Sequence, residues 1–202
     1  MRIFVILGFI AILAASGMTI VWENKPMPPY HEIMSEVINR APITAYHNKF
    51  YGFKAQYPKC FIMQETGYDS THAKFEYSLY ENIAIEFSVF KNTMDDMSPD
   101  KWPVFAERKD TTVTKVGNDA FIVEGLLYCD GTPYPDHSRY AKYIRNGKLW
   151  FVYSVTYPNE CHKAAERIRG LISQWHLSPT EYSSDLQQVL PYGQQCDMSV
   201  IM

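Results

Sequence analysis

The sequence predicts an α+β domain: a mostly antiparallel central sheet covered by helices. Three observations predict it: period-two alternation in successive segments, turn residues that join those segments as hairpins, and two helical stripes set among the strands. Consecutive hairpins exclude a doubly wound parallel sheet, which needs a long crossover between neighbouring strands. At 202 residues, with 47% hydrophobic and 20% charged residues, the chain has room for one ordinary domain with a buried core and some additional segments. A net charge of −3 argues against nucleic-acid binding through bulk positive charge, because phosphate contacts need a clustered basic surface.

The elements follow in order. Ile3 to Trp22 runs without a charge, long enough to cross a hydrocarbon core at roughly 1.5 Å per residue. Residues 1–22 therefore read as a signal peptide or a membrane anchor. Cleavage would fall near Ala14-Ala15-Ser16. Retention is favoured by the apolar run continuing through Met18, Ile20, Val21 and Trp22. A helix buried in a soluble domain is the third reading. Arg2 on the cytoplasmic side would place the chain after residue 23 outside, so the expected address is the cell envelope: periplasmic, or anchored in the cytoplasmic membrane and facing outward. Residues 23–48 form a proline-rich spacer (ENKPMPP) and a short helix from Tyr30 to Arg40, which either docks on the domain or continues a stalk.

The domain proper is expected over 49–176. FKAQYP reads as a strand ending at Pro58. Ala73–Tyr80 and Ile83–Phe90 alternate, with Phe75, Tyr77, Leu79, Ile85, Phe87 and Val89 inward, and Glu81-Asn82 turns between them. Ser98-Pro99-Asp100 opens a helix whose face carries Trp102, Phe105 and Ala106. Thr111–Val116 and Ala120–Tyr128 are strands, and Cys129–His137 is a loop. Tyr140–Arg145 and Lys148–Thr156 form a hairpin around Asn146-Gly147. Asn159 caps a closing helix with the stripe Ala164, Ala165, Ile168, Leu171, Ile172 and Trp175. Residues 177–202 read as a polar tail.

The segment Tyr51-Gly52-Phe53-Lys54-Ala55-Gln56-Tyr57-Pro58, followed by Phe61, resembles the aromatic-x-x-x-Tyr-Pro opening of the PsbP-like superfamily. The order of elements over about residues 49–176 is similar as well. That superfamily includes the photosystem II extrinsic protein, a nuclear-import Ran-binding protein and exported bacterial proteins of unknown role. The resemblance implies an α/β/α layered fold and a binding or accessory role more than an enzyme. It brings no catalytic signature, and no functional residue is carried over from it.

The chemistry on offer is sparse. Asp130, Asp136 and His137 lie within eight residues and could ligate a divalent ion or act as acid and base; equally, they are turn residues chosen for backbone geometry. The aromatics Tyr140, Tyr143, Trp150, Tyr153 and Tyr157 could line a ligand groove or fill the core. Lys163, Arg167 and Arg169 read as a solvated helix face. Four cysteines, Cys60, Cys129, Cys161 and Cys196, in an exported chain suggest disulfides. Counting hairpins puts Cys129 and Cys161 at one sheet edge, so their bridge is expected, with Cys60 and Cys196 paired or free. No H-E-x-x-H, G-x-S-x-G or phosphate-binding glycine loop is present.

The expected function is thus a non-catalytic exported or membrane-tethered binding or accessory domain for a protein or small ligand. No cofactor, no catalytic residue and no nucleic-acid partner is expected, and the membrane partner is the N-terminal segment. Two alternatives stand beside it. One is a metal-dependent hydrolase using Asp130, Asp136 and His137. The other is an immunity or inhibitor protein with an acidic surface at Asp95, Asp96 and Asp100.

Overall fold

A computed structural model describes residues 27–65, 70–77, 83–91 and 98–177. The expected signal or anchor at 1–22, the turn Glu81-Asn82, Asp95, Asp96, Cys196 and the tail beyond 177 lie outside the described residues.

Helix α1 (Tyr30–Arg40) leads into a two-stranded sheet of β1 (Ile43–His47) and β2 (Lys54–Pro58). The main sheet has seven strands: β3 (Phe61–Met63), β4 (His72–Tyr77), β5 (Ala84–Lys91), β6 (Thr112–Lys115), β7 (Ala120–Cys129), β8 (Thr132–Asn146) and β9 (Leu149–Pro158). Their order is β3-β4-β5-β9-β8-β7-β6, and every pairing is antiparallel. A 3-10 turn (Pro99–Lys101) and the four-residue helix α2 (Pro103–Ala106) follow β5. A second 3-10 turn (Asn159–Cys161) precedes α3 (His162–Gln174).

The antiparallel sheet is as expected, but the α/β/α layering is not. Strand takes 49% of the described residues and helix 25%, and only one face of the sheet carries helices of any length. The reason lies in the segment after Ser98. Pro103 has no N–H to donate and clashes with the preceding turn, so the single helix expected there breaks into a 3-10 turn and one short turn of α-helix. The fold is a β-rich domain with one helical layer and a small lid.

Register decides which side chains share a face. Phe75 pairs with Ile85 and Ala73 with Phe87. Phe87 pairs with Tyr153, and Val155 with Tyr140. These residues point to the back of the sheet, where α1, α3 and β1–β2 cover them. Met34 and Ile38 of α1 are fully buried there, each worth about 1.5–3 kcal/mol of burial, so α1 is docked rather than a free stalk. Two cations cap the helix ends on this face. Arg167 Nη1 donates to the carbonyls of Ile38 (2.6 Å), Asn39 (2.8 Å) and Ala41 (2.7 Å). Lys142 Nζ donates to Ser173 O at 2.7 Å and Trp175 O at 2.5 Å. Both satisfy carbonyls that a helix C-terminus leaves without partners.

The hairpins differ in detail from expectation. Asn146 pairs with Leu149, so the turn residues are Gly147 and Lys148, with only Gly147 at positive φ (60°); that is the pattern of a type II′ turn. Cys129 pairs with Thr132 across Asp130 (φ 49°) and Gly131 (φ 75°), the two positive φ values of a type I′ turn. The expected loop at 129–137 is therefore the tip of a long β7–β8 ribbon. The ladder slips between Leu126 and Leu127, leaving Pro135–His137 as a bulge. Asn159 does not cap α3. Its side chain donates to Pro135 O (2.9 Å) and accepts from Ser138 Oγ (2.6 Å), tying down that bulge.

Candidate binding face

The residues singled out from the sequence do not form the sites expected of them. Tyr140, Tyr153 and Tyr157 lie in the back core, while Tyr143 and Trp150 lie in the front one. All five are at most 8% exposed, so they line no common groove. Asp130 sits at the ribbon tip, whereas Asp136 and His137 are in the bulge, level with Leu126 and Leu127 and so about 12 Å back along the ribbon at the rise of a strand. Among the described residues no group of three His, Cys, Asp or Glu is placed to hold a metal ion. Cys129 and Cys161 form no bridge. Cys129 is an exposed free thiol at the ribbon tip, beyond the end of β9, and Cys161 is a buried one under α3. Cys60 is also free. Burial pushes the Cys60 and Cys161 thiols up in pKa, away from nucleophilic thiolates.

The basic residues of α3 are mostly engaged. Arg167 caps α1. Arg169 binds Glu124 Oε1 at 2.5 Å and the Tyr157 hydroxyl at 3.1 Å, and stacks over Tyr140 at 4.6 Å. Asp100 accepts a short hydrogen bond from Ser98 Oγ.

What the structure offers instead is the front of the sheet, and its two halves differ. Over β7, β8 and β9 the front residues Phe121, Val123, Ala141, Tyr143, Trp150 and Val152 are sealed by Trp102 and Phe105 of the lid. Trp102 meets Trp150 edge-on at 5.5 Å and Tyr143 at 5.6 Å. Toward β4 and β5 the same face turns polar. Lys74 pairs in register with Glu86, and Glu86 with Ser154. Lys74 Nζ also binds Glu76 at 2.6 Å. Arg139 lies opposite Thr156 on one side and Gly125 on the other. No helix among the described residues covers this half.

Gly125 sets the border between the halves. A Cβ there would collide with the Asp110 carbonyl oxygen and sit 2.9 Å from Thr111 Cα. Only glycine lets the segment 108–111 cross the strand this closely. That crossing brings Arg108 within reach of the charge on Arg139. Arg108 stacks on the Tyr128 ring at 3.7 Å, and the Tyr128 hydroxyl donates to Asp110 Oδ1 at 2.6 Å. Burial, joined by the like charge of Arg139, lowers the Arg108 pKa, while Tyr128 and Asp110 pull it back up.

Arg139 is half-buried. Burial opposes its charge, but the Tyr143 phenol and Glu86 outweigh that and raise its pKa. Its hydrogen bond among the described residues is a long one, Nη1 to the Tyr143 hydroxyl at 3.3 Å. None of Arg108, Asp110, Gly125, Tyr128, Glu86 or Arg139 stood out in the sequence. A glycine inside a strand pattern was the available signal.

No protein-family model and no curated protein matches the chain. Solved structures do. The solution structure of cyanobacterial PsbP from Synechocystis is similar over 68% of this chain and 94% of its own, at 10% identity and a TM-score of 0.49. A crystal structure from Bacteroides thetaiotaomicron is similar over 70% of this chain at 15% identity and a TM-score of 0.43, and this chain spans 50% of its length. No family, activity or ligand follows from either.

Proposed function

We propose that the chain is a non-catalytic binding or accessory domain, exported and held at the cell envelope through its first 22 residues, and that it recognises its partner with the open half of the sheet front. The observation that carries this reading is the contrast on that face: an aromatic lid seals one half, and the other half gathers Lys74, Glu76, Glu86, Arg139 and Arg108 from three strands and one crossing segment. Charged side chains concentrated on an uncovered sheet face give recognition and orientation more than catalysis when no nucleophile–base pair accompanies them.

A photo-crosslinking residue at Lys74, about a third exposed on the open half, tests this in native membranes. The matched control is Glu166, exposed on α3. A discrete adduct from position 74 with none from 166 is the expected result. No adduct at 74, or the same adducts from both, would contradict it. Sequencing the mature N-terminus tests the tether: a chain beginning at Met1 is expected, and a start near Gly17 would leave export but remove the anchor.

A further inference from the structure

We infer that β3 is a contact between two copies of this chain. The strand pairs antiparallel with β3 of a second copy about a two-fold axis at Ile62, joining two seven-stranded sheets edge to edge. This goes beyond the reading of the open front face and does not depend on it.

β3 is an outer strand of the sheet, and no strand among the described residues pairs with its far side. The ladder fixes which backbone groups face that way. Gln64 N donates to Lys74 O at 2.8 Å, and bonded pairs alternate along an antiparallel ladder. Ile62, opposite Glu76, therefore spends its amide and carbonyl on β4, while Phe61 and Met63 turn theirs toward the open side. Such an edge is a template for another strand unless charge, proline or a bulge blunts it. β6, at the opposite edge, carries Lys115 within the strand. β3 carries no charge and no proline, and its Ile62 and Met63 are 55% and 56% exposed.

The residues around Ile62 point to a second copy as the occupant. Under the two-fold, Phe61 and the partner's Met63 exchange both N–H···O bonds, and Ile62 meets the partner's Ile62 as the central unbonded pair, at a Cα separation of about 4.5 Å. Apolar side chains thus lie against apolar ones. Lys59 precedes the strand and Glu65 follows it, both exposed and neither in an ion pair among the described residues. Antiparallel pairing brings each Lys59 to the end where the partner's Glu65 lies, so opposite charges meet at both ends of the contact. A strand that is self-complementary when reversed is what an isologous interface requires. The same two-fold sets the open halves of the two fronts side by side, since β4 and β5 lie next to β3. One short strand pair buries less than the roughly 1,600 Å² of a standard interface, so the association is weak in dilute solution and is best read by trapping.

The test is cysteine trapping in native membranes, on the full chain with Cys60, Cys129 and Cys196 replaced by serine and copper–phenanthroline as the oxidant. Ile62→Cys and Met63→Cys are the matched pair, equal in exposure. Position 62 faces its own symmetry mate within disulfide range, whereas the two copies of position 63 stand diagonally, about 7–8 Å apart. A dimer band that reduction removes is expected from I62C, with at least about fivefold less from M63C. Lys59→Glu and Glu65→Lys, each added to I62C, should cut the band at least about threefold. The double exchange K59E/E65K should restore it, a recovery that misfolding cannot produce. Equal bands from positions 62 and 63, no band from 62, single exchanges without effect, or a double exchange no better than the singles would each overturn the inference. The adduct at position 74 is a separate outcome, so its loss removes the recognition face and leaves the β3 contact standing.

Discussion

The two faces of the seven-stranded sheet are built from the same alternating strands and reach different ends. On the back, every large side chain meets another: Phe87 stacks near Tyr46 and Tyr153, at 5.1 and 4.4 Å, and Trp175 ties α3 to β2 through Lys54 O at 2.9 Å. Its cations are consumed: Arg167 and Lys142 cap helix ends and Arg169 pairs with Glu124. On the front, the lid closes half of the sheet, and beyond it the face carries Lys74, Glu76, Glu86 and Arg139 with no helix among the described residues over it. Alternation fixes which residues share a face; what lies over that face decides whether it becomes core or surface.

The contrast can be broken most severely from the back. Phe87→Ala, at 1% exposure, should cost about 3–5 kcal/mol in urea denaturation, the range for a buried phenylalanine; a loss under about 1 kcal/mol would mean that this face is not the stabilising one. Gly125→Ala at the border should cost about 1–3 kcal/mol, since the new methyl group has no room beneath Asp110 and Thr111. A matched pair sharpens the comparison further. Arg167→Gln strips three helix-end carbonyls of their donor and should cost about 1–3 kcal/mol, whereas Lys74→Gln should cost at most about 1 kcal/mol, because it removes one partly exposed ion pair to Glu76. Equal losses for the two would erase the distinction between the cations of the back and those of the open front.

The smallest effect is one of pH. Burial raises the phenol pKa of Tyr153 and, to a lesser degree, of Tyr46, Tyr57 and Tyr140, all packed in the back core. A raised folded pKa adds stability in full below the unfolded value and loses it as pH rises past that value. Urea midpoints should therefore hold steady up to about pH 9 and fall above about pH 10. Tyr153→Phe should fall less steeply, at the cost of the bond from its hydroxyl to Gln56 O (2.7 Å).

Much of the sheet was legible from residue pattern. The alternation in 73–90 fixed the β4–β5 pairing and its inward set, and the stripe of α3 was read correctly at Ala164, Ala165, Ile168 and Ile172. Other features were present but overlooked. Asp130-Gly131 is a hairpin signal as strong as Asn146-Gly147, and Pro103 announces the broken helix that undoes the layered fold. The aromatic groove failed on parity: Tyr140 and Tyr143 are an odd number of residues apart and must face opposite sides of a strand, as must Trp150 and Tyr153. The border of the open face was beyond reach. It exists because Asp110 and Thr111 cross over Gly125, a long-range approach that leaves no local trace in the chain.

The most direct measurement is the pair of crosslinking positions in native membranes, Lys74 on the open front and Glu166 on α3. Position 74 should give a discrete adduct and position 166 none. The same adducts from both, or none at 74, would contradict the account.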